Sequence, residues 1–359
     1  MSILFIIVLF ALIILFHEFG HFIAAKWART RVEEFGIGFP PRLFGKQFGE
    51  TLYSVNLLPL GGFVKIFGED DGDPNDPCNF ASKPIWVRAG IIAAGVFMNI
   101  FFAFLLYTGG HMVGLPTTIE SDELAARAHD VRVQIIEVAQ DSPASLGGLQ
   151  PGDTIVELRA GEETLPIVRT QDVREFVSRH TAEVIMLEIA RGSERQEIAV
   201  TPRTDPPAGQ GALGIAMVRT GIVSYPIWEA PLRGAETTFA TLRALIDGFG
   251  MMFGRLFAGD GLAGDVTGPV GIARMAGDIG GLGLIYLIPF AAFLSLNIAL
   301  LNVVPFPALD GGRLFFLLIE FVKRSPVDRR VERVVHMVGF AILLLMMLAI
   351  TFRDVEKLL

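Results

Sequence analysis

A chain of 359 residues with 52% hydrophobic and only 19% charged side chains falls outside the composition of soluble domains, which carry about 25% charged residues. The net charge of −8, with no basic run along the chain, excludes a nucleic-acid partner. The single cysteine, Cys78, excludes an internal disulfide and any zinc-finger spacing.

Four long uncharged runs, at 2–16, 89–110, 282–309 and 334–352, approach the ~20 apolar residues that cross a bilayer. The predicted fold class is therefore a polytopic α-helical protein embedded in the lipid bilayer, with about four transmembrane helices. The first run lacks a basic n-region and a small-residue cleavage site and flows directly into His17–His21. It reads as a retained helix and not as a signal peptide.

After it, residues 26–85 are mixed and punctuated by Gly and Pro. Thr51–Asn56 and Phe63–Phe67 are strand-like runs around the Leu-Leu-Pro-Leu-Gly-Gly turn, which predicts a membrane-associated β-hairpin at about 50–68. Residues 115–225 contain no lysine and show alternating patterns at Val131–Val138 and Glu183–Ile189, with a short helix over Gln171–Arg179. They predict a water-soluble α+β domain inserted between the second and third runs. Residues 226–258 carry Glu229, Arg233, Glu236, Arg243, Asp247 and Arg255 at a spacing that suits an amphipathic surface helix. Four parts result: a membrane part at 1–110, the inserted domain with its flanks at 115–225, an amphipathic connecting segment at 226–281, and a second membrane part at 282–359.

Basic residues near the apolar runs set the orientation. Lys26, Arg29 and Arg31, then Lys83 and Arg88, then Lys323, Arg324, Arg329, Arg330 and Arg333 place three loops in the cytoplasm. The inserted domain and both termini then face outward, which in a bacterium means the periplasm beyond the inner membrane.

At the end of the first run stands His17-Glu18-Phe19-Gly20-His21. On a helix, positions i and i+4 share a face, so both imidazoles reach one Zn²⁺, and the intervening Glu18 is placed to take a proton from a water beside it. A catalytic zinc site usually takes three protein ligands. Of the remaining histidines, His129 and His180 belong to the outward domain and His111 to the far end of the second run, whereas His336 stays open as a ligand. A better candidate is Asp310, an acid inside the third run, in Asn302-Val-Val-Pro-Phe-Pro-Ala-Leu-Asp310-Gly-Gly. Pro305 and Pro307 predict a broken helix there, tolerated at membrane depth where it lines a cavity. The competing reading is a short loop joining two separate helices, which gives five spans.

The His-Glu-Phe-Gly-His and Asn-x-x-Pro-x-Pro-x-Leu-Asp-Gly stretches together resemble the site-2 protease family of intramembrane zinc metalloproteases. The likeness extends across most of the chain, including Gly268-Pro-Val-Gly-Ile-Ala273. It implies one Zn²⁺ held by His17, His21 and Asp310, with Glu18 as catalytic base. Gly62-Phe63-Val64 opens a stretch, through Glu69, similar to the family's membrane hairpin that holds substrate as an extended strand, and Asn302 falls where the family has an asparagine near the substrate. The family's Ala-Gly-Pro-x-x-Asn stands here as Ala94-Gly95-Val96-Phe97-Met98-Asn99, with Asn99 retained as a candidate substrate contact and a valine in place of the proline. Asp141-Ser-Pro-Ala, continuing to Gln150-Pro-Gly-Asp153, resembles a bacterial PDZ domain. One such domain fits the available length, and a PDZ domain implies a peptide or protein ligand.

The implied activity is zinc-dependent endoproteolysis of a single-pass transmembrane protein, an anti-sigma factor already cut outside, in a stress response. Signal-peptide remnants are an alternative substrate. A zinc transporter, in which the intramembrane His, Glu and Asp would pass Zn²⁺, and a PDZ scaffold, which has no need for Glu18, are the competing function classes.

Overall fold

The computed structural model describes residues 2–69, 76–192, 194–259 and 268–356. Its contacts divide the chain into two compact units: Met1–Thr108 with Pro231–Asp278 and Leu287–Leu359, and Gly109–Ala230 with Ile279–Tyr286.

In the first unit, helix α1 (Ser2–Trp27) leads into strands β1 (Val32–Phe48) and β2 (Thr51–Ile66), then helix α2 (Ile85–Val113). The sheet corrects the predicted hairpin. Its tight turn is Gly49-Glu50, between the paired Phe48 and Thr51, and the Leu-Leu-Pro-Leu-Gly-Gly stretch lies inside one long strand. Glu34 through Ile37 pair with Lys65 through Gly62 on one side and with Leu52 through Val55 on the other, while Arg42–Phe48 pairs back along 51–56. Phe63–Ile66 therefore pairs with β1 and not with Thr51–Asn56. The reason is that β1, with two prolines, three glycines and repeated register shifts, lacks the alternation that marks a strand. At Gly61 the backbone takes φ +131°, and a Cβ would come within 2.9 Å of the Ile14 side chain. Only glycine lets β2 pass this close to α1. A buried cluster of Ala25, Val32, Ile66, Phe80, Ile91, Ile92 and Leu317 holds the hairpin base against the helices.

The second unit is built on strands and short helices in the order β3 (Leu115–Thr118), α3 (Asp122–Arg127), β4 (Ala128–Val138), α4 (Pro143–Gly147), β5 (Thr154–Ala160), β6 (Glu163–Pro166), α5 (Thr170–Arg179), β7 (Ile185–Arg191), β8 (Glu194–Val200) and β9 (Ile215–Val223). Seven strands form one sheet ordered β3-β9-β4-β5-β7-β8, with β6 on β5. The helix α5 buries Val173, Phe176 and Val177 against it. Fully buried Phe176, Ile155, Ile185, Leu187 and Ile189 each stabilise the core by about 1.5–3 kcal/mol. The Pro151-Gly152-Asp153 turn is fixed by the Asp153 carboxylate, which accepts from Gln150 N–H at 2.8 Å and from the Arg191 guanidinium at 2.7 and 2.8 Å. That hydrogen-bonded carboxylate raises the Arg191 pKa above its ordinary value.

The remaining helices are α6 (Ala230–Ala258), α7 (Pro269–Leu282), α8 (Leu284–Val303), α9 (Asp310–Lys323) and α10 (Arg329–Glu356). Residues 260–267 of the connecting segment lie outside the described residues. Among the described residues, four helices are long and apolar enough to cross a membrane: Ile6–Trp27, Ile85–Val113, Leu284–Val303 and Arg329–Glu356. The protein is thus a polytopic membrane protein with added sheet. One correction concerns the third apolar run. Its helix ends at Val303, and Asp310 opens a separate helix of 14 residues. At 1.5 Å per residue, α9 is about 21 Å long, short of the ~30 Å hydrocarbon core, so it adds no fifth span. Val96, which stands where the family has a proline, sits buried in an unbroken α2.

Candidate active site

The site begins with a helix crossing made possible by two glycines. A Cβ on Gly20 of α1 would lie 2.3 Å from the Ala94 carbonyl oxygen, and one on Gly95 of α2 would lie 2.5 Å from His21 Nε2 and 2.7 Å from His17 Cε1. Their missing side chains let α1 and α2 touch at the level of both histidines. His17 and His21, each only 7% exposed, then converge with Nε2 atoms 3.1 Å apart.

Asp310 arrives from α9. Its Oδ2 lies 3.0 Å from His17 Nε2 and 3.3 Å from His21 Nε2. It is a buried oxygen with no hydrogen-bond partner of its own. Two more glycines permit this approach, because a Cβ on Gly311 would lie 2.2 Å from the Val304 carbonyl and one on Gly312 would lie 2.4 Å from that of Phe306. The chain between α8 and α9 packs so closely against the start of α9 that no side chain fits at positions 311 and 312.

These three atoms match a zinc ion. Bonds of about 2.0–2.1 Å at tetrahedral angles place ligand atoms about 3.3 Å apart, and the observed separations are 3.0, 3.1 and 3.3 Å. Two imidazole nitrogens and one carboxylate oxygen are a donor set that zinc accepts. Among the described residues, this is the group of three whose ligand atoms lie close enough to hold one metal.

Each imidazole is also oriented from behind. His21 Nδ1 donates to the Ile91 carbonyl at 2.9 Å, which leaves Nε2 unprotonated toward the metal position. His17 Nδ1 faces the side-chain amide of Asn99 at 3.4 Å. A half-turn of that amide exchanges its oxygen and nitrogen, and with Oδ1 inward it accepts from Nδ1–H and selects the same tautomer. Ile91, Gly95 and Asn99 are four residues apart on one face of α2, which forms the cradle. Asn99, expected from the sequence to contact substrate, is fully buried, and its side-chain amide lies against His17. Asn99→Leu is expected to weaken zinc binding about 10- to 100-fold, measured by chelator competition, and to leave the KM of the zinc-saturated enzyme unchanged.

Glu18 points to the hairpin. Its Oε2 accepts from Val64 N–H at 3.1 Å. Among the described pairings, Gly62–Lys65 meets β1 on one side only, so its second edge, which carries this amide, lies beside Glu18. A Cβ on Gly62 would come within 2.9 Å of the Gly36 carbonyl and 3.2 Å of Leu15; Phe63 stacks on Phe39 at 6.4 Å. Asn302 sits half-buried in the last turn of α8. His336 accepts from Ala308 N–H and is not in the group of converging ligands. Sequence reading also missed Arg313, three residues after Asp310, whose guanidinium pairs with Glu69 just beyond β2. A contact between residues so far apart along the chain leaves no local signature.

The model of peptidase family M50 matches residues 5–346. A protein of Clostridium perfringens, provisionally named a zinc metalloprotease, is 34% identical over 99% of this chain and 98% of its own length. The zinc metalloprotease RasP of Geobacillus kaustophilus is 28% identical, covering 99% of this chain and 98% of its own. The regulator of sigma-W protease RasP of Bacillus subtilis is also 28% identical, covering 98% and 97%.

Proposed function

The chain belongs to peptidase family M50, and from that premise we propose that His17, His21 and Asp310 hold the catalytic zinc of an intramembrane protease whose base is Glu18. It is a zinc metalloendopeptidase of the site-2 type that acts on membrane proteins in the bilayer. The observation that carries the residue assignment is the convergence of three buried ligand atoms within 3.3 Å of one another, two of them on the helix that presents Glu18 and the third at the start of α9.

A transmembrane helix resists hydrolysis because its peptide groups are already bonded to one another. The one-sided edge at Gly62–Lys65 offers an unwound stretch replacement strand hydrogen bonds, with Val64 N–H already directed to the reaction centre. Zinc, when bound, lowers the pKa of water and polarises a carbonyl. Glu18 takes the proton of the attacking water and returns it to the leaving amine. The Ile91 carbonyl and Asn99 hold the imidazoles in place throughout. Asn302, in the last turn of α8, is assigned to substrate binding together with Gly62, Phe63 and Val64.

The substrate is a single-pass membrane protein. An anti-sigma factor trimmed outside the membrane fits best, given that one relative is named for the regulation of a sigma factor; remnants of signal peptides would use the same chemistry. The basic loops put the site toward the cytoplasmic face of a bacterial inner membrane, with residues 115–225 outside as a PDZ domain.

We assign that domain a filtering role. Leu115 pairs with Val223, so the whole of β3 to β9 is removable at adjacent ends, whereas a shorter excision would strand β9. Purified parent and excised enzymes would be given full-length and pre-trimmed single-span substrates, with and without chelator. The filter predicts that excision permits cutting of the full-length form while trimmed substrate is cut as before. Continued refusal of full-length substrate, or a raised KM for the trimmed form, would contradict it.

A further inference from the structure

Helix α10 is 28 residues long, yet among its described residues only Gly339 and Asp354 are buried. Gly339 packs on the turn that delivers Asp310: a Cβ there would lie 2.4 Å from the Pro307 side chain and 2.6 Å from its carbonyl oxygen. One turn earlier on the same face, His336 Nδ1 accepts from Ala308 N–H at 2.9 Å, and its ring lies 5.5 Å from that of Phe316 on α9.

The turn needs such support. Ala308 has φ +85°, a conformation that costs a non-glycine residue roughly 1–3 kcal/mol and persists where its surroundings impose it. Leu309, at the N-cap of α9, offers no side-chain hydrogen bond, so the usual capping contribution to a helix start is missing. Asp310 follows directly. Its carboxylate must meet two imidazoles within a few tenths of an ångström, and the direction of the α9 start is set by the strained residue two positions before.

We propose that His336 is a positioning residue for the metal centre: seated by Gly339, its Nδ1 accepts the Ala308 amide, holds the turn in its left-handed form and thereby aims Asp310 at His17 and His21. The proposal rests on Asp310 being a zinc ligand. It assigns His336 no contact with metal or substrate.

The required acceptor is at the Nδ1 position, and this makes the test specific. The side-chain oxygen of asparagine lies where Nδ1 lies, whereas that of glutamine reaches toward Nε2. His336→Leu and His336→Gln are therefore expected to weaken zinc binding about 10- to 100-fold, and His336→Asn to keep most of the affinity. Ala308→Gly, which removes the cost of positive φ, is expected to recover a large part of the loss in the His336→Leu background. Zinc affinity of the purified full chain would be measured by chelator competition. Hydrogen exchange at the Ala308 amide would be followed in the metal-free protein, where Leu and Gln speed exchange and Asn does not. Parent-like affinity and exchange in His336→Leu would overturn the proposal, as would equal damage from Leu, Gln and Asn. If the leucine variant fails to fold, the Asn and Gln pair still decides. Asp310→Ala serves as the control: if it keeps zinc, the ligand assignment fails, while exchange at Ala308 still reports whether His336 braces the turn.

Discussion

Replacing Glu18 with glutamine is expected to abolish cleavage and leave one zinc per chain. The substitution keeps the length and shape of the side chain. Its amide oxygen still accepts from Val64 N–H, which meets Glu18 Oε2 at 3.1 Å in the parent, so the hairpin stays docked on α1. The substitution removes the capacity to accept and return a proton, a function worth about 10²- to 10⁴-fold in rate. The loss should appear in kcat with little change in KM, because no substrate contact is deleted. Turnover above about a tenth of parent in a zinc-loaded Glu18→Gln enzyme would sink the assignment of Glu18 as base, since the contribution expected of a general base is at least ~10²-fold. The same variant separates an enzyme from a scaffold, in which this residue is dispensable.

Asp310→Ala is expected to empty the metal centre and remove activity together. Two imidazoles alone fall short of the three protein ligands that a catalytic zinc usually takes. The fold should survive, for a physical reason. Asp310 sits in the first turn of α9, where an acid stabilises the helix by only about 0.3–1 kcal/mol. Its Oδ2, being without a hydrogen-bond partner, leaves no donor stranded when it is removed. Circular dichroism would verify folding, and elemental analysis of the purified protein would give the zinc content. Stoichiometric zinc in a folded Asp310→Ala protein would show that another group completes the set.

Much of this centre was readable before the fold was known, because its parts are local. The spacing of His17 and His21 puts them on one helix face by geometry alone. An acid directly after an apolar run that carries two prolines marks Asp310 as out of place unless it has work to do. Readability stopped where a residue's role depends on a distant partner. Gly20 and Gly95 are ordinary helix glycines until α1 and α2 cross. Nothing local relates Asn99 to His17, 82 positions away, and only the fold brings the two side chains together. The β1 strand was missed since Gly38 (φ +78°), the prolines and the register shifts hide its pattern. With β1 unseen, Phe63–Phe67 had the wrong partner. The third apolar run was read as one interrupted helix because hydropathy continues across the break between α8 and α9, whose tight packing at Gly311 and Gly312 has no local signature.

The central claim is that one zinc ion is held by two histidines and a carboxylate on α1 and α9. X-ray absorption at the zinc edge of the purified full-length protein reads that ligand set without reference to any substrate. The account predicts one zinc in an environment of nitrogen and oxygen only, with outer-shell scattering from two imidazole rings, reduced when either His17 or His21 is replaced. Scattering from a third imidazole or from sulfur, or an unchanged spectrum after those replacements, would contradict it.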